Sequence, residues 1–311
     1  MVSMPNGKKG SLQQPSQVLF QSAPVLFVWL WSTGFIGAKY GLPYAEPFTL
    51  LLYRMVITLF CLGLLVWWMK PIWPEPNAIF HSAIAGLLVH GLYLGGVFYA
   101  IEGDMPAGLA SLIVGLQPLV TAIAAVILLK ESVSIRQWIG LGLGLVGVGL
   151  VLVEKIVKSD PLAGFPLWTI GWALVALLGI SVGTVYQKRF GASVDLIPST
   201  FIQYCSATIF FGLGAFAFET REVSWNLQLI MAMSWLVLGL SVGAILLLMQ
   251  LIRKGGASQV ASLFYLVPPV TALEAYILFN EKMGLLALFG GALAVTGVAL
   301  VVIKRQHFQP R

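Results

Sequence analysis

Residues 105–131 read MPAGLASLIVGLQPLVTAIAAVILLKE, and residues 255–281 read GGASQVASLFYLVPPVTALEAYILFNE. Over the longer ranges 105–153 and 255–303, 16 of 49 aligned positions are identical and no gap is needed. Both stretches are apolar and end at an acidic residue. The chain therefore contains two copies of one unit.

The composition indicates that this chain folds in a membrane. Hydrophobic residues make up 59% of the 311 residues, charged residues make up 10%, and the mean hydropathy is +0.91. Soluble domains contain roughly 25% charged residues. The apolar residues fall in stretches of about 20, the length that carries a helix across ~30 Å of hydrocarbon. The sequence predicts an all-α polytopic membrane protein.

Ten apolar stretches are predicted to span the membrane. Their ranges are 22–40, 47–68, 78–101, 105–129, 135–153, 163–187, 196–217, 228–252, 256–279 and 284–303. Spans 4 and 5 correspond to spans 9 and 10, so the repeated unit contains five spans. Because five is an odd number, we expect the second unit, 163–303, to be inverted relative to the first unit, 22–153.

The basic residues predict the orientation of the chain. If the N-terminal tail, residues 1–21, lies inside, the inner segments hold twelve Lys and Arg residues and the outer segments hold five. Cytoplasmic loops of membrane proteins carry such an excess. We therefore expect a multi-pass protein of the cell (inner) membrane, with residues 1–21 and 304–311 in the cytoplasm. The same loops explain the net charge of +6, and no nucleic-acid partner is expected.

No metal or cofactor site is predicted. Cys61 and Cys205 lie inside apolar stretches, away from the Cys-x-x-Cys and Cys/His spacings of zinc and redox sites. The chain also lacks the Gly-x-x-x-x-Gly-Lys-Ser/Thr loop that binds nucleotide phosphates. Any transport should therefore use a gradient or facilitated diffusion.

The inverted repeat favours transport. Exchanging the conformations of two equivalent halves opens the opposite face around one midplane site, so we predict that a small molecule crosses the lipid bilayer by alternating access. One alternative is an intramembrane enzyme acting on a lipid-type substrate, with Glu102 and Asp104 as the nearest acidic pair. Another is a non-transporting membrane sensor or scaffold, which should carry an added soluble module.

Polar and aromatic residues within the spans are candidates for the wall of a substrate cavity. They are Trp31, Phe35, His90, Tyr99, Gln117 and Tyr265. In lipid, polar groups turn toward partners or a wet cavity, and the alternative role is interhelical hydrogen bonding or an interfacial belt. His90 lies near the centre of span 3, where an imidazole suits a proton relay. The alternative is a neutral histidine bonded to a neighbouring carbonyl.

Glu274 and Arg54 are charged residues inside predicted spans. A bare carboxylate at full depth costs roughly 2.5 to 3.5 kcal/mol, so Glu274 should have a partner or a proton. It is predicted to be a proton-coupling site, a ligand for a cationic group, or half of an ion pair with Arg54. The corresponding residue of the first unit is Ala124, so the repeat itself does not require this carboxylate.

Proline and glycine punctuate the repeated spans. Pro118, Pro268 and Pro269 lie near the middle of spans 4 and 9, where proline removes a backbone donor. They are predicted to form hinges, with a static kink as the alternative. Glycines recur in spans 5 and 10, among them Gly147 and Gly297. Such small residues predict close packing between the two helices.

Three motifs carry a resemblance to a known family. They are WSTGF at 31–35, PAGLASLIVGLQP at 106–118 leading to Glu131, and ASLFYLVPPVT at 261–271 leading to Glu281. They resemble the two EamA units of the drug/metabolite transporter superfamily, over about residues 22–303. The resemblance implies secondary transport, often export, of amino acids, nucleobases, drugs or other small metabolites. The motifs are more specific for the fold than for the substrate, and they do not specify an oligomeric state.

Overall fold

The computed structural model describes most of the chain as helix. It covers residues 15–103, 105, 110, 113–157, 166–191, 194–254, 257–267, 269–270, 273–274, 277 and 284–302, with the side chains of residues 15–21, 35–36, 38–39, 151–152, 154–157, 258 and 287 left out. The helices are α1 Pro15–Gly41, α2 Pro47–Met69, α3 Pro76–Glu102, α4 Gln117–Leu129, α5 Ile135–Val157, α6 Trp168–Phe190, α7 Leu196–Phe218, α8 Leu227–Lys254, α9 Ala257–Ser262 and α10 Leu285–Val302. A 3₁₀ turn, Leu263–Leu266, continues α9.

The helices have the length and surface of membrane spans. Five of them, α2, α3, α6, α7 and α8, are long and apolar enough to cross a bilayer, and α4, α5 and α10 contain shorter apolar segments. Large apolar side chains point outward, such as Phe60 at 68% and Leu213 at 70% exposure. Contiguous apolar surface of this kind is stable against lipid and not against water. The described part of the chain is thus an all-helical, polytopic membrane protein, as predicted.

Proline interrupts the fourth predicted span, 105–129. A turn at residues 115–116 comes first, and α4 begins at Gln117, with Pro118 in its first turn. Proline is tolerated there because the first amides of a helix have no intrahelical acceptor, whereas deeper in a helix its ring clashes with the carbonyl four residues earlier. Pro268, the equivalent position in the second unit, lies outside the described residues. The hinge role of these prolines stays a prediction.

Two of the helices that border the cavity described below widen into π-helical turns. One comprises Leu87–Leu92 in α3, and the other comprises Leu236–Ala244 in α8. Such turns are rare and often occur at functional sites. They hold His90 and Ser241, respectively, so two of the polar residues at the centre of the molecule are positioned by irregular helix.

Helices α5 and α10 pack backbone against backbone. A Cβ added to Gly147 would lie 2.5 Å from the amide nitrogen of Ala294, and one added to Gly297 would lie 2.5 Å from the carbonyl oxygen of Gly140. No side chain larger than hydrogen fits these positions unless the helices separate. The predicted packing role of the glycines is confirmed here.

Gly147→Ala should therefore destabilise the protein. We expect the free energy of unfolding to fall by about 1 to 2 kcal/mol, because the added methyl group forces α5 and α10 apart. Gly142→Ala on the same helix is the matched control, since Gly142 is exposed and its Cβ would meet no atom within 4 Å. Thermal unfolding in detergent measures both variants. Equal midpoints for the two would contradict the packing.

A carboxylate from α7 caps the beginning of α2. Glu219, just past the end of α7, accepts hydrogen bonds from the amide of Phe48 at 2.7 Å and from the amide of Thr49 at 2.6 Å. The hydroxyl of Thr49 also donates to it, at 2.8 Å. The first amides of a helix lack intrahelical acceptors, and a negative charge is favourable there. This contact fixes α2 relative to α7.

Helix α2 in turn helps to enclose the centre of the molecule. It packs against α3 and α8, and α8 also packs against α1. The enclosed space between these four helices contains the candidate functional site.

Candidate functional site

A small cavity lies where α1, α2, α3 and α8 meet. Its wall consists of Trp31, Gly34, Arg54, Val89, His90, Tyr93, Leu94, Val97, Phe98, Leu240 and Ile245. The cavity leaves about 40 Å³ for the centres of water molecules, within a recess of about 520 Å³ that includes its open mouth. One water needs roughly 10 to 15 Å³ on this scale. The enclosed part therefore accommodates only a few waters, between apolar walls that carry few polar groups.

Arg54 is the permanent charge of this cavity. It follows the first two turns of α2, about 10 Å along the helix from Pro47, and it is only 4% exposed. Its Nε donates a hydrogen bond to Oγ of Ser241 at 2.9 Å. Across the part of the chain that the structure describes, no Asp or Glu forms an ion pair with it.

A second layer of polar side chains lies behind Arg54. The hydroxyl of Tyr204 on α7 donates to the carbonyl oxygen of Ser241 at 3.0 Å. The ring of His90 lies against the ring of Tyr204, with centroids 4.5 Å apart. His90 is fully buried, and neither of its ring nitrogens has a hydrogen-bond partner among the described residues. This layer fixes Ser241 and leaves His90 with free hydrogen-bonding capacity beside the cavity.

Aromatic rings form one wall of the cavity. The rings of Trp31 and Tyr93 stack with centroids 6.1 Å apart and planes inclined by 15°. Phe264, from the 3₁₀ turn after α9, meets Trp31 edge-on at 5.2 Å. Such contacts hold large side chains in one orientation. Trp31, a predicted cavity residue, lies on the cavity wall and contacts a ring from the second unit.

The other predicted cavity residues lie elsewhere. Tyr99 packs between Phe48 and Trp172, with ring centroids 4.6 Å and 5.2 Å away. Gln117 and Tyr265 are fully buried, but they are not part of this cavity wall. The side chain of Phe35 lies outside the described residues. Of the six predicted cavity residues, Trp31 and His90 lie on the wall of this cavity.

Three further polar side chains are buried away from the cavity. The side-chain amide of Gln117 and the hydroxyls of Thr121 and Tyr265 have no hydrogen-bond partner within the described ranges. The ring of Tyr265 packs against Gly144 of α5. These groups lie in the packed interior of the two repeated units, where an interhelical role fits their positions as well as a substrate contact.

Glu274 and Arg54 bond to different side chains. Oε1 of Glu274 accepts a hydrogen bond from Oγ of Ser32 at 2.6 Å, whereas Arg54 bonds to Ser241. The predicted ion pair is therefore not formed between these two described side chains. The physical reason is the direction of the side chains: Glu274 faces α1, and Arg54 faces α8. Oε2 of Glu274 is buried and has no partner within the described part of the chain.

Tyr93 on the cavity wall and Ser241, the hydrogen-bond partner of Arg54, were not proposed from sequence. Tyr93 follows His90 by three residues and therefore shares its helix face, which is a signal that the sequence contains. Ser241 is a lone hydroxyl residue in an apolar run, and its place in a π-helical turn has no clear sequence signal. Within the described ranges, no group of three His, Cys, Asp or Glu residues could hold a metal ion. Of the acidic pair proposed for an enzyme, Asp104 lies outside those ranges.

Comparison with known proteins identifies relatives over about three quarters of the chain. The chain is similar to the uncharacterized transporter YvbV of Bacillus subtilis (strain 168), with 29% identity over 238 residues, 76% of this chain and 74% of the relative. It is also similar to the uncharacterized inner membrane transporter YedA of Escherichia coli (strain K12), with 23% identity over 235 residues, 76% of this chain and 74% of that protein. Both relatives are named as transporters.

A solved structure and a family model also match this chain. A protein of known crystal structure superimposes with a TM-score of 0.76 at 20% identity, covering 91% of this chain and 96% of that chain. At this identity the likeness concerns the fold alone. The EamA-like transporter family matches residues 22–153 and 167–303, which is most of the sequence. The chain belongs to the EamA-like transporter family.

Proposed function

We propose that this protein is a secondary transporter that moves a small organic metabolite across the cell membrane by alternating access. One observation carries the proposal: the cavity draws its wall from both units. Trp31, Arg54 and His90 come from the first unit, whereas Leu240 and Ile245 come from the second. A rocking motion of one unit against the other would open such a cavity to each side of the membrane in turn.

The proposal includes the complete architecture. Ten spans form two inverted repeats, 22–153 and 163–303, with both termini in the cytoplasm. The sequence repeat and the bias of basic residues toward one set of loops support this arrangement. Export is the proposed direction, as the family resemblance implies.

The size of the cavity suggests how the substrate enters. Space for only a few water centres is too small for a metabolite of amino-acid size, so the surrounding helices must separate during transport. The turn at residues 115–116 and Pro118 in α4 are proposed as one hinge. Pro268 and Pro269 are its proposed counterpart in the second unit.

Transport by purified protein in liposomes tests the proposal. Liposomes would be loaded with labelled amino acids, nucleobases, aromatic and aliphatic acids and cationic drugs, with and without a pH gradient. We expect saturable flux of at least one class, with protein-free liposomes as the control. Absence of protein-dependent flux for every class would contradict the proposed function.

Glu274 is proposed as the proton-coupling group. Its buried carboxylate bonds to Ser32, which directly follows the cavity residue Trp31 in α1. A change in its protonation would therefore alter a contact between α1 and the second unit. His90 is the second proposed group, because its imidazole lies directly at the cavity.

Glu274→Gln should uncouple flux from a pH gradient. The amide keeps an acceptor for Ser32 but cannot exchange a proton, so we expect substrate exchange without a gradient to persist and acceleration by a gradient to disappear. Glu222→Gln is the matched control, because Glu222 is exposed in the segment after α7. Initial rates with and without the gradient decide the outcome. A variant with undiminished gradient dependence would remove Glu274 from the coupling mechanism.

A further inference from the structure

We infer that Arg54 binds the carboxylate of the transported substrate, and that the cavity selects monocarboxylic acids with an apolar or aromatic body over the corresponding amino acids. This inference rests on the proposed transport function and narrows it to a substrate class.

The charge of Arg54 requires an anion. A guanidinium stays protonated in proteins, and moving an ion out of water costs several kcal/mol unless a partner compensates. Ser241 supplies one neutral hydrogen bond, and the described residues supply no carboxylate. An ionisable residue inside a membrane protein that lacks a counter-ion points to a ligand.

The hydrogen bond to Ser241 leaves the two Nη groups of Arg54 available for a ligand. Ser241 uses Nε of Arg54, and no hydrogen bond from Nη1 or Nη2 joins Arg54 to a described residue. Ser241 is itself fixed, because Tyr204 donates to its carbonyl oxygen. A guanidinium that is held at Nε presents its two Nη groups as a fork, and a carboxylate matches this fork with two parallel hydrogen bonds.

The rest of the wall defines the body of the ligand. The rings of Trp31 and Tyr93 supply aromatic surface, and Leu94, Val97 and Leu240 add aliphatic surface. Burial of an apolar ligand body against these side chains contributes about 25 cal/mol per Å². An apolar chain or an aromatic ring that carries a carboxylate at one end therefore complements the site.

The same wall disfavours an ammonium group. None of the residues that line the cavity is acidic, and Glu274, which accepts a hydrogen bond from Ser32, is not part of this wall. The ammonium of an amino acid lies within a few ångströms of its carboxylate, so it would be placed near the cation of Arg54 without a compensating anion. A carboxylic acid that lacks the ammonium group should therefore bind more tightly than the corresponding amino acid, since both carry the same carboxylate.

Binding measurements on the full-length protein in detergent test the inference, with 3-phenylpropanoate, 3-phenylpropanamide and phenylalanine as probes. For the unaltered protein, we expect 3-phenylpropanoate to bind at least tenfold more tightly than the other two. Arg54→Gln should weaken binding of 3-phenylpropanoate about tenfold and leave the amide unchanged, whereas Arg54→Lys should retain part of the affinity. Lys70→Gln, at the exposed end of the same helix, should change nothing.

The possible outcomes separate the inference from the transport function. Equal loss of all three probes in Arg54→Gln, or phenylalanine binding more tightly than 3-phenylpropanoate, would overturn the inference. Retained binding of the amide shows that the variant is folded. Flux of the same probes in liposomes is read separately: flux without the carboxylate preference refutes only the inference, and carboxylate binding without any flux refutes only transport.

Discussion

Trp31→Ala should reduce substrate flux about thirtyfold, whereas Trp31→Phe should keep most of it. The indole of Trp31 forms a wall of the cavity between Tyr93 and Phe264. Its removal exposes the substrate to water, and loss of about 2 kcal/mol of apolar burial corresponds to roughly a thirtyfold change. Phenylalanine restores a ring at the same place. Initial rates at low substrate concentration in liposomes measure the effect.

Trp29→Ala provides the matched control for this experiment. Trp29 lies two residues earlier on α1, is 47% exposed, and packs edge-on against Trp235 at 6.2 Å, away from the cavity. Its replacement removes the same side chain from the outer surface, and we expect nearly normal flux. Thermal unfolding of both variants separates a transport defect from a folding defect. Similar flux in two well-folded variants would exclude Trp31 from the substrate path.

Glu219→Ala should lower the free energy of unfolding by about 3 kcal/mol. Two amides at the start of α2 and the hydroxyl of Thr49 would lose their acceptor at a site where Glu219 is 9% exposed. A buried donor without an acceptor costs about 1 to 3 kcal/mol, so three such donors, partly rehydrated, account for this magnitude. Unfolding in detergent by heat or denaturant measures the change.

Glu222→Ala is the control for the capping effect. Glu222 lies three residues further along and is exposed, so removal of its carboxylate should change the free energy of unfolding by less than about 0.5 kcal/mol. Both substitutions remove one carboxylate from the segment that follows α7. If they destabilise the protein equally, the carboxylate of Glu219 does not fix α2 to α7.

Hydropathy predicted the helices well because it depends only on the length and the apolar character of each stretch. A span must cover the hydrocarbon layer with apolar residues, so predicted and observed ends agree within a few residues for α2, α3, α7, α8 and α10. Breaks within an apolar span are harder to locate from hydropathy. The turn before Pro118 falls inside a continuous apolar stretch, where only the chemistry of proline indicated that the helix would break.

The site was partly predictable for a related reason. Trp31 and His90 were identified because aromatic and ionisable residues are conspicuous within apolar spans. Arg54 and Glu274 were also recognised as costly charges, but their depth in the membrane does not determine the direction that each side chain faces. Arg54 bonds to Ser241, which lies in a π-helical turn of α8. Glu274 bonds to Ser32 of α1. Helix rotation and irregular turns are products of tertiary packing, and one sequence does not reveal them.

Access to the cavity from both sides of the membrane is the property that distinguishes a transporter from a receptor or an enzyme. The chain suits a thiol-labelling measurement, because its two cysteines, Cys61 and Cys205, are free and can both be replaced by serine. Leu94→Cys then places one thiol on the cavity wall. Phe60→Cys, on the lipid-facing surface at 68% exposure, serves as the control.

A membrane-impermeant thiol reagent would be applied to right-side-out and to inverted vesicles that contain these variants. We expect the Leu94→Cys thiol to react in both preparations and to react more slowly when a transported substrate is present. The Phe60→Cys thiol should react in neither preparation. Reaction of the Leu94→Cys thiol from one side only, with or without substrate, would contradict alternating access through this cavity.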